Sequence, residues 1–206
     1  MEKKQTNQKG KQLFILLISV LVLVVLDQWT KYLAVMYLKD KEPFVLWQGV
    51  FELRYLENRG AAFGMLKDQR IVFLIMTVII MAGTLWVYLK MPQTKRFLPL
   101  RLIATGILAG AVGNMIDRLL NGFVVDFFYF SLIDFPIFNV ADIYVTVSSF
   151  MLLLLYFFFY KEEELDFLFG KKEKEASEQV DGKGMEDTDE AVAEAENQEE
   201  KLKDEE

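Results

Sequence analysis

The sequence predicts an α-helical integral membrane protein, with four transmembrane helices and a small outward-facing β-sheet region between helices one and two. Three observations carry this. Of 206 residues, 53% are hydrophobic, more than a soluble domain of this length needs. Four stretches match the roughly 20 mostly apolar residues that cross a bilayer core about 30 Å thick as a helix. The charge is also segregated: residues 161–206 hold 19 acids and 7 bases, and residues 1–160 hold 11 acids and 16 bases.

The first span is LFILLISVLVLVVLDQWTKYL, Leu13 to Leu33. It follows a basic start, residues 1–11, but has no small-x-small cleavage site before Asp27. It therefore reads as a retained helix rather than a removed signal peptide. The second span is Ile71 to Leu89, the third Leu100 to Ile116 and the fourth Phe138 to Tyr160. Lys and Arg collect before span one (Lys3, Lys4, Lys9, Lys11) and between spans two and three (Lys90, Lys95, Arg96, Arg101). The positive-inside rule then places both termini in the cytoplasm of a multi-pass protein. The loops of about 39–70 and about 117–137 fall outside.

In the first outward loop, Phe51, Leu53 and Tyr55 alternate with Glu52 and Arg54, the period of a half-buried strand. Residues 12–160 form the membrane domain. Residues 161–206 read as an acidic, disordered cytoplasmic tail, since so charged a segment has little apolar surface to bury.

The chain has no cysteine and no histidine. Disulfides, thiol nucleophiles, Ser-His-Asp triads and His-ligated zinc are excluded. An enzyme of this composition moves protons with Asp, Glu, Lys or Tyr.

Polar residues gather at the outer ends of the spans, and ionisable groups at membrane depth are candidates for function. Asp27 and Lys31 are four apart on one helical face, the spacing of an ion pair; an interfacial structural pair beside Trp29 and Tyr32 explains them equally well. Asn114, Asp117 and Arg118 share a side of span three, where Gly106 and Gly110 form a small-residue packing face. Arg118 offers a planar fork suited to a carboxylate or a peptide carbonyl. Asn139 and Asp142 open span four, where an acid is also explained by the helix dipole. Asp134 precedes Phe-Pro in a turn and needs no catalytic role. Asp126, within FVVDFFYF, has no cap and no base nearby in sequence. If Asp126 meets Asp142, the two carboxylates cannot both ionise cheaply and one keeps a proton. That is the acid/base pair of an aspartic hydrolase.

Two other readings use the same residues. A proton- or cation-coupled carrier would use Asp27, Asp117, Asp126 and Asp142, but needs polar groups near the midplane rather than at one end. A four-helix scaffold leaves Asp126 unexplained. Asp126, Asp142 and Asn139 could also offer oxygens to a divalent cation; loss of activity in chelator would favour that, and no metal or other cofactor is expected.

Five blocks, DQWTK (27–31), ENRGAAFG (57–64), GNMIDR (113–118), VVDFF (124–128) and FNVAD (138–142), occur in the order found in lipoprotein signal peptidases (signal peptidase II), and residues 12–160 resemble that family. The resemblance implies an aspartyl endopeptidase of the bacterial plasma membrane, with its active site near the outer surface. Its substrate would be a diacylglyceryl-modified prolipoprotein, cut just before the lipidated cysteine. The implied partners are that substrate and membrane lipid, with no nucleic acid. By block position, Asp126 and Asp142 match the catalytic pair. Asp27, Lys31, Asn58, Gly60, Asn114, Asp117, Arg118, Asn139 and Ala141 match the supporting, substrate-binding shell. Two departures stand out: Ser148 stands where the family more often has glycine, which implies altered packing of span four, and the acidic tail is longer than the family requires.

Overall fold

The computed structural model of the chain describes residues 2–60, 69–165 and 167. Among these residues are four long helices and three strands, in the order α1 (Glu2–Leu38), β1 (Phe44–Trp47), β2 (Phe51–Asn58), α2 (Arg70–Lys90), α3 (Leu98–Leu120), β3 (Val124–Tyr129) and α4 (Val140–Phe158). All four helices are long and apolar enough to cross a membrane, α1 over Gly10–Leu38. At 1.5 Å per residue, the 37 residues of α1 exceed what a bilayer core requires, so this helix runs well past the predicted span.

The helix α3 is the centre of the bundle. It packs on α1, α2 and α4, and its small residues explain why. A Cβ added at Gly106 would lie 2.2 Å from Ser148 Oγ, and one at Gly110 would lie 2.5 Å from the Ala141 carbonyl oxygen. The predicted packing face is therefore the α3–α4 contact, and Ser148, buried in it, is accommodated because position 106 has no side chain. Pro99 sits in the first turn of α3, where a missing N–H costs nothing. The outward faces of α1, α2 and α4 expose apolar side chains such as Leu21, Ile79 and Leu153, as lipid-facing helices do.

The sheet has the order β1-β2-β3, antiparallel throughout. The sequence placed it between helices one and two. The structure adds a third strand from the second outward loop. Its apolar run shows no alternation because its first four residues are all buried; the signal of a half-exposed strand is missing. β2 also runs to Asn58, three residues past the alternating pattern, with a register irregularity between Leu53 and Leu56. Ala34 and Leu38 of α1 pack with Val125 and Phe127 of β3, which fixes the sheet to the helix ends.

Contacts separate the chain after Tyr160. Beyond that point the described residues form a short 3-10 turn, Glu162–Leu165. The predicted acidic tail lies otherwise outside the described residues.

Candidate active site

Asp126 stands in the middle of β3, opposite Leu56 of β2. Strand geometry therefore positions it, which answers why no local cap or base accompanies it in the sequence. It is 1% exposed. Asn58 Nδ2 donates to its Oδ2 at 2.8 Å, and Asn139 Nδ2 donates to its Oδ1 at 2.6 Å. Burial, and then the neighbouring Asp142 carboxylate, push the Asp126 carboxyl up to about 7.

The chain returns to β3 before starting α4. Phe128 and Phe138 exchange backbone hydrogen bonds at 2.8 and 3.0 Å, which sets Asn139 beside the strand. Asn139 is the N-cap of α4: its Oδ1 accepts from the Asp142 N–H at 3.0 Å, and its own N–H donates to Asp142 Oδ2 at 3.2 Å. This reciprocal capping box gives Asp142 the helix-start role allowed for in its sequence. It also lets Asn139 touch both carboxylates. The other Asp142 oxygen accepts from Asn114 Nδ2 at 2.8 Å. All four oxygens of the pair thus face N–H donors.

Below the pair lies a buried ionic cluster. Lys31 Nζ is 2.9 Å from Asp27 Oδ2 and 3.1 Å from Asp117 Oδ2, and donates to Asn114 Oδ1 at 3.0 Å. The i,i+4 pair expected between Asp27 and Lys31 is present and lies inside the protein, at 0% and 3% exposure. Asp27 Oδ1 accepts from the Ala141 N–H at 2.9 Å, and Asp117 Oδ2 from the Val125 N–H at 3.1 Å. These two acids therefore fix the first turn of α4 and the start of β3. Asp117, placed by sequence at the edge of a loop, belongs to the last turns of α3. Gln28 was not singled out from the sequence. Its amide donates to Asp27, the Gly113 carbonyl and Asp117 at 2.9–3.2 Å. The signal available was its place between Asp27 and the rest of the DQWTK block.

A cleft of about 1410 Å³ opens beside the pair, walled among others by Asn58, Gly60, Phe73, Arg118, Phe138, Asp142 and Val147. Arg118 reaches the Gly60 carbonyl at 3.4 Å and the Asn114 carbonyl at 3.5 Å, with its guanidinium 4.6 Å from the Phe73 ring centre. Of the residues expected around the site, Asn58, Gly60, Arg118 and Asp142 line this cleft. Asp27, Lys31, Asp117, Asp126, Asn139 and Ala141 are buried. Asp134 is at the rim, where it accepts from Tyr129 Oη at 2.6 Å.

The profile of the family described as signal peptidase (SPase) II matches residues 19–159. The chain belongs to the signal peptidase II family. Curated members share substantial identity with it. The lipoprotein signal peptidase of Streptococcus thermophilus is 42% identical over 135 residues, which is 66% of this chain and 87% of that one. The enzyme of the same name from Caldanaerobacter subterraneus is 39% identical over 137 residues, 66% of this chain and 91% of its own. Among solved structures, a bacterial membrane enzyme determined by the in meso method at 2.3 Å resolution superposes with a TM-score of 0.62 at 31% identity, covering 72% of this chain and 92% of that one. A second, at 1.9 Å resolution, gives 0.61 at 29% identity, over 71% and 94%. This signal peptidase II family member is thus a peptidase, and its four apolar helices make it a multi-pass bacterial membrane protein.

Proposed function

We propose that this protein removes the signal peptide from diacylglyceryl-modified prolipoproteins, cutting before the lipidated cysteine by water activation at Asp126 and Asp142. One observation carries the reading. Two carboxyl groups from separate elements, a strand and a helix start, share Asn139 as a hydrogen-bond partner, and Asp142 lines the cleft beside them.

The environments divide the labour. Asp142 sits in the first turn of α4, where the Asn139 N–H donates to one of its oxygens. It lines the cleft and takes a proton from the attacking water. Asp126, buried on β3 and raised to about 7, holds the shared proton at neutral pH and gives it to the scissile carbonyl oxygen. Collapse of the tetrahedral intermediate then breaks the C–N bond: Asp142 gives the leaving nitrogen the proton it took from water, and Asp126 recovers its proton from an intermediate hydroxyl as the new carboxyl forms. No histidine or cysteine exists to offer another route. The remaining polar groups orient: Arg118 and the Gly60 backbone hold the extended substrate, while Phe73, Phe138 and Val147 form apolar wall for the lipid and the signal helix.

The distribution of Lys and Arg supports cytoplasmic termini, and so a site near the outer surface. There α1 and α3 pack on the sheet, and a substrate anchored by its lipid presents its cleavage site at that depth. Purified full-length protein in detergent should convert a diacylglyceryl-modified prolipoprotein to a smaller band. Mass spectrometry should place the cut immediately before the modified cysteine, with the unmodified precursor left intact. Equal cleavage of both precursors would overturn the lipid requirement.

A further inference from the structure

An ammonium group has three protons and no lone pair. At Lys31 all three are taken, by Asp27 Oδ2, Asp117 Oδ2 and Asn114 Oδ1 at 2.9, 3.1 and 3.0 Å. Lys31 is also 3% exposed. It has no proton left for a substrate or a leaving group, so a direct role in proton transfer is closed to it.

Its effect lies one residue further on. Because Lys31 can only donate, the Asn114 amide must turn its oxygen toward it. Asn139 Nδ2 also approaches that oxygen, at 3.2 Å. The Asn114 NH₂ is then forced toward Asp142, where it donates at 2.8 Å. Without Lys31 only that longer Asn139 contact, from an amide already committed to Asp126 at 2.6 Å, opposes a flip, and a flipped Asn114 would set oxygen against oxygen at Asp142. The charges of Asp126 on β3, Arg118 on α3 and Asp27 on α1 also act on Asp142, as does that of Lys31 itself. Of these groups only Lys31 holds the Asn114 amide oxygen.

We propose that Lys31 is a positioning residue for the carboxyl pair: held by Asp27 and Asp117, it locks the Asn114 amide so that its N–H, and not its oxygen, faces Asp142 Oδ1. This rests on the reading of Asp126 and Asp142 as the reacting pair. Asp27 and Asp117 acquire a second task, since each holds Lys31 as well as a backbone N–H next to one member of the pair.

Removing Lys31 alone would strand two buried carboxylates, so the test uses Lys31→Met together with Asp117→Asn, which keeps the cluster's formal charge at −1. With the full-length protein and diacylglyceryl-modified prolipoprotein, kcat and KM are measured for Asp117→Asn, for the Lys31→Met/Asp117→Asn pair, for an Asp117→Asn/Asn114→Ala control and for the triple variant. Relative to Asp117→Asn, the pair should lose about 10-fold or more in kcat with KM within about twofold, and the triple variant should be no worse than the Asp117→Asn/Asn114→Ala control by more than about threefold. Losses that multiply in the triple variant would overturn the proposal, as would a kcat for the pair within twofold of Asp117→Asn. Asn114→Asp supplies an independent reading should the pair fail to fold. It keeps an oxygen for Lys31 but offers Asp142 a second acceptor, so its activity should survive only with an added proton, and its pH optimum should shift to lower pH. An unshifted profile at near wild-type rate would contradict the lock. The parent reading fails separately, through an active Asp126→Asn enzyme.

Discussion

Asn139 gives its side-chain amide to Asp126 at 2.6 Å while its backbone N–H reaches Asp142 at 3.2 Å. One residue therefore starts α4, caps it and ties the two carboxyl groups together. These tasks separate by substitution. Asn139→Ser retains a good N-cap, so stability should change by less than about 0.5 kcal/mol from the cap itself. The donor to Asp126 is lost, and cleavage should fall about 100-fold. Thermal unfolding and cleavage rates on the same preparation check this; intact activity with lost stability would reverse the assignment.

The raised Asp126 carboxyl has a thermodynamic signature. Folded Asp126 keeps its proton up to about pH 7, whereas an unfolded aspartate loses it near pH 4. In that window the folded state binds the extra proton, so stability falls as pH rises, by about 1.4 kcal/mol per pH unit from this group. Unfolding midpoints measured across pH 5 to 8 should show a downward slope that Asp126→Asn flattens. Parallel profiles for the two proteins would show that Asp126 is not the buried acid described.

Gly106 and Ser148 form a size-matched pair across α3 and α4. Gly106→Ala should destabilise by about 1–3 kcal/mol through overpacking. Adding Ser148→Gly should restore most of that loss, since it removes the atom 2.2 Å from the new Cβ. Failure of the second change to rescue the first would mean that the helices separate elsewhere.

Much of this was legible in the sequence for physical reasons. Spans are readable because a bilayer imposes length and apolarity at once. Asp126 was conspicuous because no local cap, base or turn explained it, and the structure supplies its partners from Asn58 and Asn139, 68 and 13 residues away in sequence. β3 was not legible: a strand buried from Val124 to Phe127 carries no alternation, and its partner β2 lies far earlier in the chain. The three-proton saturation of Lys31 was hidden too. Spacing predicted Asp27 as its partner, but Asp117 and Asn114 come from a different helix. Gln28 lacked any charge to draw notice, although it bridges Asp27 and Asp117.

The central claim is that Asp126 and Asp142 together carry the reaction, and single-residue replacement in a cleavage assay tests it most directly. Asp126→Asn and Asp142→Asn should each insert, fold and lose at least about 1000-fold in rate, since each removes one acid/base partner while keeping side-chain shape. Asp134→Asn, whose oxygen can still accept from Tyr129, should stay within about threefold of the parent rate. A folded Asp126→Asn or Asp142→Asn protein that still cleaves diacylglyceryl-modified prolipoprotein at near the parent rate, or an inactive but folded Asp134→Asn, would contradict the account.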